Sequence, residues 1–307
     1  MVGFVRLHKE LSPAVVRSAQ SPSTNIDPRA HDGPVTELGV PLGGGDASER
    51  GERIGETARR PAGPQTPAVH ALLMHLERVG FQNAPRSLGL DDAGRHVLEY
   101  IPGRVAHLGD TESPPLDPVA VGRMVRELHD ALEDWHPPDD AVWVCHVPTD
   151  GDDLVVHNDV APWNIVVASD RLVIIDWDAC SPGTRIWDLA YLAHGLVPLE
   201  PATPWPDVVT RLRGLAGGYG MDSDDRLRLA AALAPRAWSM HTLLARGKET
   251  GEQPWARLWD EGHGAIWRRD AEWVEANTDR LREALLRWGP KTRPSPTQSG
   301  PPVDPHD

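Results

Sequence analysis

The chain is poor in cysteine, in long apolar runs and in positive charge, and each shortage removes a class of function. Its 307 residues hold two cysteines, Cys145 and Cys180. Two thiols build neither a disulfide framework nor a cysteine-rich zinc site, so ordinary core or surface thiols are expected. No apolar run reaches the roughly 18 to 20 residues that span a bilayer, so no membrane partner is expected. Arg6, His8, Lys9 and Glu10 interrupt the stretch from Met1 to Val16 where a secretory signal needs an apolar core. A cytoplasmic location is therefore the expectation. The net charge of -14 argues against a sequence-independent nucleic-acid binder, which needs a basic surface to displace counterions. A cationic substrate is compatible with that charge, although acidity alone selects none.

What is present reads as an ordinary globular protein, 40% hydrophobic and 25% charged, long enough for two lobes with a sizeable core. Residues 1–34 are rich in Ser, Pro, Ala and Asp without apolar periodicity and predict a flexible leader. Residues 289–307 are Pro-rich and charged and predict a disordered tail. Between them the character changes once. Residues 35–101 predict short strands and one helix from Pro67 to Val79, whose Val69, Leu72, Leu73, Leu76 and Val79 recur at spacings of three and four. Arg95 to Ile101 predicts a strand, closed by Pro102-Gly103. Residues 102–288 predict a mainly helical lobe. Its stripes are Val121, Met124, Val125 and Leu128; Leu227, Ala230, Ala231 and Leu233; and Trp259, Ile266, Trp267 and Val274. All twelve tryptophans lie at or after Trp135. The fold class is α+β: a small strand-rich N-lobe and a larger helical C-lobe.

The most informative stretch runs from Leu154 to Asp178. Three β-branched runs, Leu154 to Val156, Ile165 to Val167 and Leu172 to Ile175, are separated by a polar loop and by the turn Ser169-Asp170-Arg171. The second and third are close enough to form a hairpin. A turn centred on Asp170 places Asn164 opposite Asp176 at the open end, beside the loop that carries Asp159. An amide oxygen and a carboxylate held together are hard ligands suited to Mg²⁺ bridging phosphates. A further carboxylate nearby suits acceptance of a hydroxyl proton, or orientation of a nucleophile.

These residues resemble a known family. His157-Asn158-Asp159-x-x-Pro162-x-Asn164, followed by Ile174-Ile175-Asp176-Trp177-Asp178, resembles the Brenner and metal motifs of the aminoglycoside phosphotransferase and choline kinase superfamily. Trp187-Asp188-Leu189-Ala190 is similar to its downstream helix start, Leu98 to Gly103 to its interlobe hinge, and Leu128-His129 to the helix before the catalytic loop. The resemblance implies a protein-kinase-like two-lobe fold and an ATP- or GTP-dependent, Mg²⁺-dependent transfer to the hydroxyl of a small molecule. It implies that Asp159 is the catalytic carboxylate and that Asn164 and Asp176 hold Mg²⁺. His157 is then a brace for the loop, Asp188 an anchor, and the backbone of Glu99 and Ile101 the contact for the nucleotide base.

The N-lobe departs from the family pattern. Gly43, Gly44 and Gly45 are the candidate phosphate loop, although a run of three glycines is more often just a turn. The lysine expected on a strand is absent from Ala58-Arg59-Arg60-Pro61, so Arg59 is assigned the phosphate contact and Arg60 the opposite face. The expected helix glutamate falls near Val69 or His70, and Glu77 lies two turns further on, facing solvent. A nucleotide-binding module without catalysis is the alternative reading. The acids from Asp130 to Asp153, with no Lys or Arg among them, are either a solvated face or an attractor for a cationic acceptor.

Overall fold

The computed structural model describes residues 39–42, 51–106 and 116–287. The leader, the tail and Gly43, Gly44 and Gly45 lie outside the described residues. Strands β1 (Val40–Pro41), β2 (Glu52–Ile54) and β3 (Thr57–Arg60) begin the N-lobe. Helix α1 (Thr66–Arg78) follows, then β4 (Ser87–Leu90) and β5 (His96–Glu99). The strands form one antiparallel sheet in the order β1-β2-β3-β5-β4. From Glu52 to Arg60 the chain makes a hairpin that turns at Gly55, with φ of +58°.

Helix α1 buries Val69, Leu72, Leu73 and Leu76, the stripe expected from their spacing, while Val79 is 49% exposed. The helix stops because Gly80 adopts a φ of +84°. Gly80 N–H then donates to Glu77 O, and Phe81 N–H to Leu76 O, which satisfies two of the last carbonyls.

The C-lobe starts with β6 (Arg104–Val105) and α2 (Pro118–Leu132). Asp117 caps α2 by accepting from Val119 N–H, and Pro118 takes the first turn, where a missing N–H costs nothing. Strands β7 (Leu154–Val156), β8 (Ile165–Val167), β9 (Leu172–Ile174) and β10 (Ser181–Gly183) frame the loop that holds His157 to Asn164. They form a sheet in the order β6-β8-β9 and a pair β7–β10. Five helices complete the lobe: α3 (Arg185–Leu196), α4 (Trp205–Tyr219), α5 (Ser223–Thr250), α6 (Trp255–Asp260) and α7 (His263–Ala276). A last helix, α8 (Thr278–Leu286), packs on α5 and α4.

Val121, Met124, Val125 and Leu128 on α2 are all buried. Two glycines let α2 and α4 cross closely. A Cβ at Gly218 would collide with Val119, and one at Gly122 with the Leu215 carbonyl. The stripe expected from Leu227 to Leu233 needs correction. Ala231 is exposed and Leu227 half-buried, and the buried face of α5 is Leu229, Ala230, Leu233 and Ala237. The third expected stripe is divided between α6 and α7, with Ile266 37% exposed. Among the described residues no helix is long and apolar enough to cross a membrane.

Candidate active site

The β8–β9 hairpin pairs Ile165 with Ile174 and Val167 with Leu172. Its turn therefore centres between Ser169 and Asp170, half a residue earlier than expected. Asn164 O accepts from Ile175 N–H at 2.9 Å, so Asn164 faces Ile175, and Asp176 lies one position beyond. A left-handed backbone (φ 65°, ψ 67°) follows at Asp176, one of the few residue types that tolerate it. Asp159 and Asp176 remain neighbours electrostatically, each close enough to perturb the other's surroundings.

The loop between β7 and β8 is held from every side. Asn158, at φ 64°, is its strained residue. Asn158 N–H donates to Asp188 Oδ1 at 2.7 Å, Asn158 Nδ2 to Ser181 Oγ at 2.8 Å, and Arg236 Nη2 to Asn158 O at 3.1 Å. Asp188, fully buried, also accepts from His129 Nε2 at 3.1 Å, and His129 Nδ1 lies 2.9 Å from the Tyr219 hydroxyl. Burial pushes the Asp188 carboxyl up, but the bonds from His129 and Asn158 outweigh it and hold the carboxyl below its ordinary value.

His157 is fully buried with its ring 4.7 Å from Trp177, edge to face. Its Nδ1 accepts from Asp159 N–H at 3.3 Å, and burial keeps the ring's proton affinity low. Its Nε2 has no hydrogen-bond partner, although the Ile175 backbone lies beside it.

Asp159 is half-buried and faces Tyr191, Asn164 and Asp176. Burial raises its carboxyl to about 7, Asp176 pushes the same way, and contacts with Tyr191, Asn164 and Arg236 pull it back. Asn164 Nδ2 donates to Asp159 Oδ2 at 2.8 Å and to Asp159 O at 2.9 Å. With its nitrogen so committed, Asn164 presents its oxygen, the atom a hard cation takes.

The arginines reverse their expected sides. Arg60, not Arg59, faces Asp176: its Nη1 lies 2.9 Å from Asp176 Oδ1 and its Nη2 2.7 Å from Asp178 Oδ2. Arg59 points to the other face, where Asp91 binds it at 3.0 Å. Alternation along β3 allows only one of two neighbours to face the cleft, and β5 sets the choice by pairing Arg60 with His96. One guanidinium thus bridges two carboxylates across the cleft.

At the hinge, Glu99 N–H is already committed to Arg86 O at 2.9 Å and Tyr100 N–H to Glu56 O at 3.0 Å. The expected base contacts reduce to the Glu99 carbonyl and the Ile101 amide. The acids after Asp130 also find partners outside their own stretch. Asp130 binds Arg126 and Arg185, Glu133 binds Arg185, and Asp150 accepts from the Thr184 hydroxyl. Cys180 is buried, and burial with the charges of Asp188, Asp178, Asp176 and Asp159 pushes its thiol well above the ordinary value, whereas Cys145 is exposed.

Sequence reasoning missed Tyr191 and Arg236. Tyr191 follows Asp188 by three residues and so shares its face of α3, a signal that was available. Arg236 interrupts the apolar stripe of α5 and is 3% exposed, over the Tyr191 ring at 4.4 Å.

Residues 140–231 match the phosphotransferase enzyme family. That is the family the loop and metal motifs resemble. A curated relative, the trifolitoxin immunity protein of Rhizobium leguminosarum bv. trifolii, is 29% identical over 252 residues, covering 76% of this chain and 94% of its own. Two solved structures share the fold. A choline/ethanolamine kinase family protein from Mesorhizobium loti has a TM-score of 0.54 at 16% identity, covering 82% of this chain and 94% of its own. Amicoumacin kinase, solved with AMP-PNP, Ca²⁺ and its ligand, has a TM-score of 0.53 at 13% identity, covering 78% and 89%. The architecture is thus the two-lobe α+β fold of small-molecule kinases.

Proposed function

We propose that this protein transfers a phosphoryl group from ATP or GTP, with Mg²⁺, to a hydroxyl of a small molecule. One observation carries the reading: Asp159, Asn164 and Asp176 converge on one hairpin end with a cationic side chain from the N-lobe facing them. Asn164 and Asp176 would hold the cation, which would neutralise phosphate charge. Asp159 orients the acceptor hydroxyl and takes its proton, Tyr191 and Asn164 fix the carboxylate, and Arg60 grips the phosphates. His157 braces the loop rather than moving protons. Ile101 and Glu99 offer backbone groups to the base; the part of Gly43, Gly44 and Gly45 would be to cover the phosphates.

The acceptor side of Asp159 is aromatic. The Trp163 ring, 37% exposed, meets the Tyr191 ring edge-on at 6.5 Å, and the Tyr191 ring stacks on Trp267 at 6.1 Å. Of the acids from Asp130 to Asp153, Asp130 and Glu133 are tied to Arg126 and Arg185, and the aromatic wall beside Asp159 suits an apolar or flat acceptor face. The names of the similar proteins direct an acceptor screen to antibiotics and toxins as well as amino alcohols. The test is that screen with Mg-ATP and Mg-GTP, read by mass spectrometry for an added phosphate. Asp159→Asn should lower kcat by about 10²–10⁴-fold on the acceptor found. Transfer undiminished in that variant would refute the assignment.

A further inference from the structure

The missing helix carboxylate leaves a physical problem. A phosphate-gripping cation on a strand needs a partner to hold its long side chain in one place, and α1 offers none. Its only acid, Glu77, is exposed, and His70 is spent on Ser87 Oγ at 2.7 Å. Ser87 Oγ passes the chain on to His96 Nε2, also at 2.7 Å. The α1 side of Arg60 is therefore lined by imidazoles, and burial, then His70, then Arg60 lower the His96 proton affinity to about 4. Among the described residues, no acid of α1 pairs with that guanidinium.

The charge that does so comes from the other lobe. Arg60 is 16% exposed and makes two separate ion pairs, with Asp176 and with Asp178, the two acids flanking Trp177. Asp178 is also bonded by the Gln65 side chain, from the residue just before α1. It thus joins the strand, the start of α1 and the metal motif at one point. Arg60 can give up one carboxylate and keep the other, because its two terminal nitrogens serve different acids.

Building on the phosphotransferase reading above, we infer that Asp178 positions Arg60 in place of a helix carboxylate, and that Arg60 shields Asp176 until metal and nucleotide arrive. Metal binding transfers Asp176 from the guanidinium to the cation, while Asp178 keeps the guanidinium aimed at the phosphates. Arg60 and a divalent cation then compete for Asp176 in the absence of nucleotide, but cooperate in its presence.

Two measurements on the full chain test this. Mn²⁺ titration without nucleotide, followed by electron paramagnetic resonance, should show Arg60→Met binding Mn²⁺ several-fold tighter than wild type, with Arg60→Lys in between. Equal Mn²⁺ affinity in wild type and Arg60→Met would overturn the shielding role. The second is a double-mutant cycle of Arg60→Met and Asp178→Asn on ADP affinity, in EDTA and in Mg²⁺. Asp178→Asn should weaken ADP binding beside Arg60 and leave it equal or tighter in the Arg60→Met background, in both media. The same effect in both backgrounds, or an effect confined to Mg²⁺, would overturn the positioning role; the latter would make Asp178 a metal ligand. Thermal melts of each variant establish that it is folded. Should wild type bind no nucleotide, the phosphotransferase reading falls, while the Mn²⁺ titration still decides the shielding role.

Discussion

The two halves of the site are held by different kinds of interaction. On the C-lobe side Asn158 is fixed through its amide, carbonyl and side chain by Asp188, Arg236 and Ser181, all within 3.1 Å. On the N-lobe side Arg60 sits on a four-residue strand with no buried position, and among the described residues its charge is balanced by two acids of the other lobe. Buried, multiply bonded groups resist displacement, whereas a side chain held by ion pairs across a cleft can change partners at small cost. The loop that would position the hydroxyl is rigid, and the group that would grip the phosphates is exchangeable. That division suits an enzyme that must bind and release a nucleotide around a fixed carboxylate.

The sharpest way to break the rigid half is Asp188→Ala. It leaves the fully buried His129 Nε2 and the part-buried Asn158 amide without their carboxylate acceptor. A loss of about 3–5 kcal/mol in denaturant unfolding is expected. A loss below about 1 kcal/mol would show that the loop does not depend on this network.

A second test concerns the sheet behind Arg60. The His96 ring is 3% exposed and its proton affinity is lowered to about 4, so it stays neutral in the fold at pH values where the unfolded chain, near 6.5, takes up a proton. The stabilisation is complete above about pH 6.5 and is lost as the pH falls towards 4. Linkage caps the loss on the order of 3 kcal/mol. Urea melts across that window should show a steeper acid loss in wild type than in His96→Gln; parallel curves would contradict the assignment.

The smallest effect separates the neighbouring arginines. Arg60→Met should weaken Mg-nucleotide binding by roughly tenfold, the value of a charge-assisted phosphate contact. Arg59→Met should change it less than about twofold, because Arg59 is paired with Asp91 on the face away from the cleft. Isothermal titration of both variants decides it, and a reversed order would return the phosphate contact to Arg59.

The same contrast explains what could be read from the sequence. The catalytic loop was legible because its chemistry is contiguous: Asp159, Asn164 and Asp176 lie on one loop and one hairpin, where spacing sets geometry. Even there the register was off by one, because a turn of two residues and one of three look alike in sequence. The choice between Arg59 and Arg60 was not legible. Which face of a short strand points inward is set by its pairing with β5, some forty residues away, and β3 has no apolar alternation to reveal it. Tyr191 and Arg236 reach the loop from α3 and α5; the spacing from Asp188 hints at Tyr191, but the approach of Arg236 depends on tertiary packing.

The most direct test of the central claim is Mg-nucleotide binding to wild type, Asp159→Asn and Asp176→Asn by isothermal titration. If Asp176 holds the metal and Asp159 serves the hydroxyl, Asp176→Asn loses about tenfold or more in affinity while Asp159→Asn stays within a few-fold of wild type. Wild-type affinity in Asp176→Asn would contradict the account.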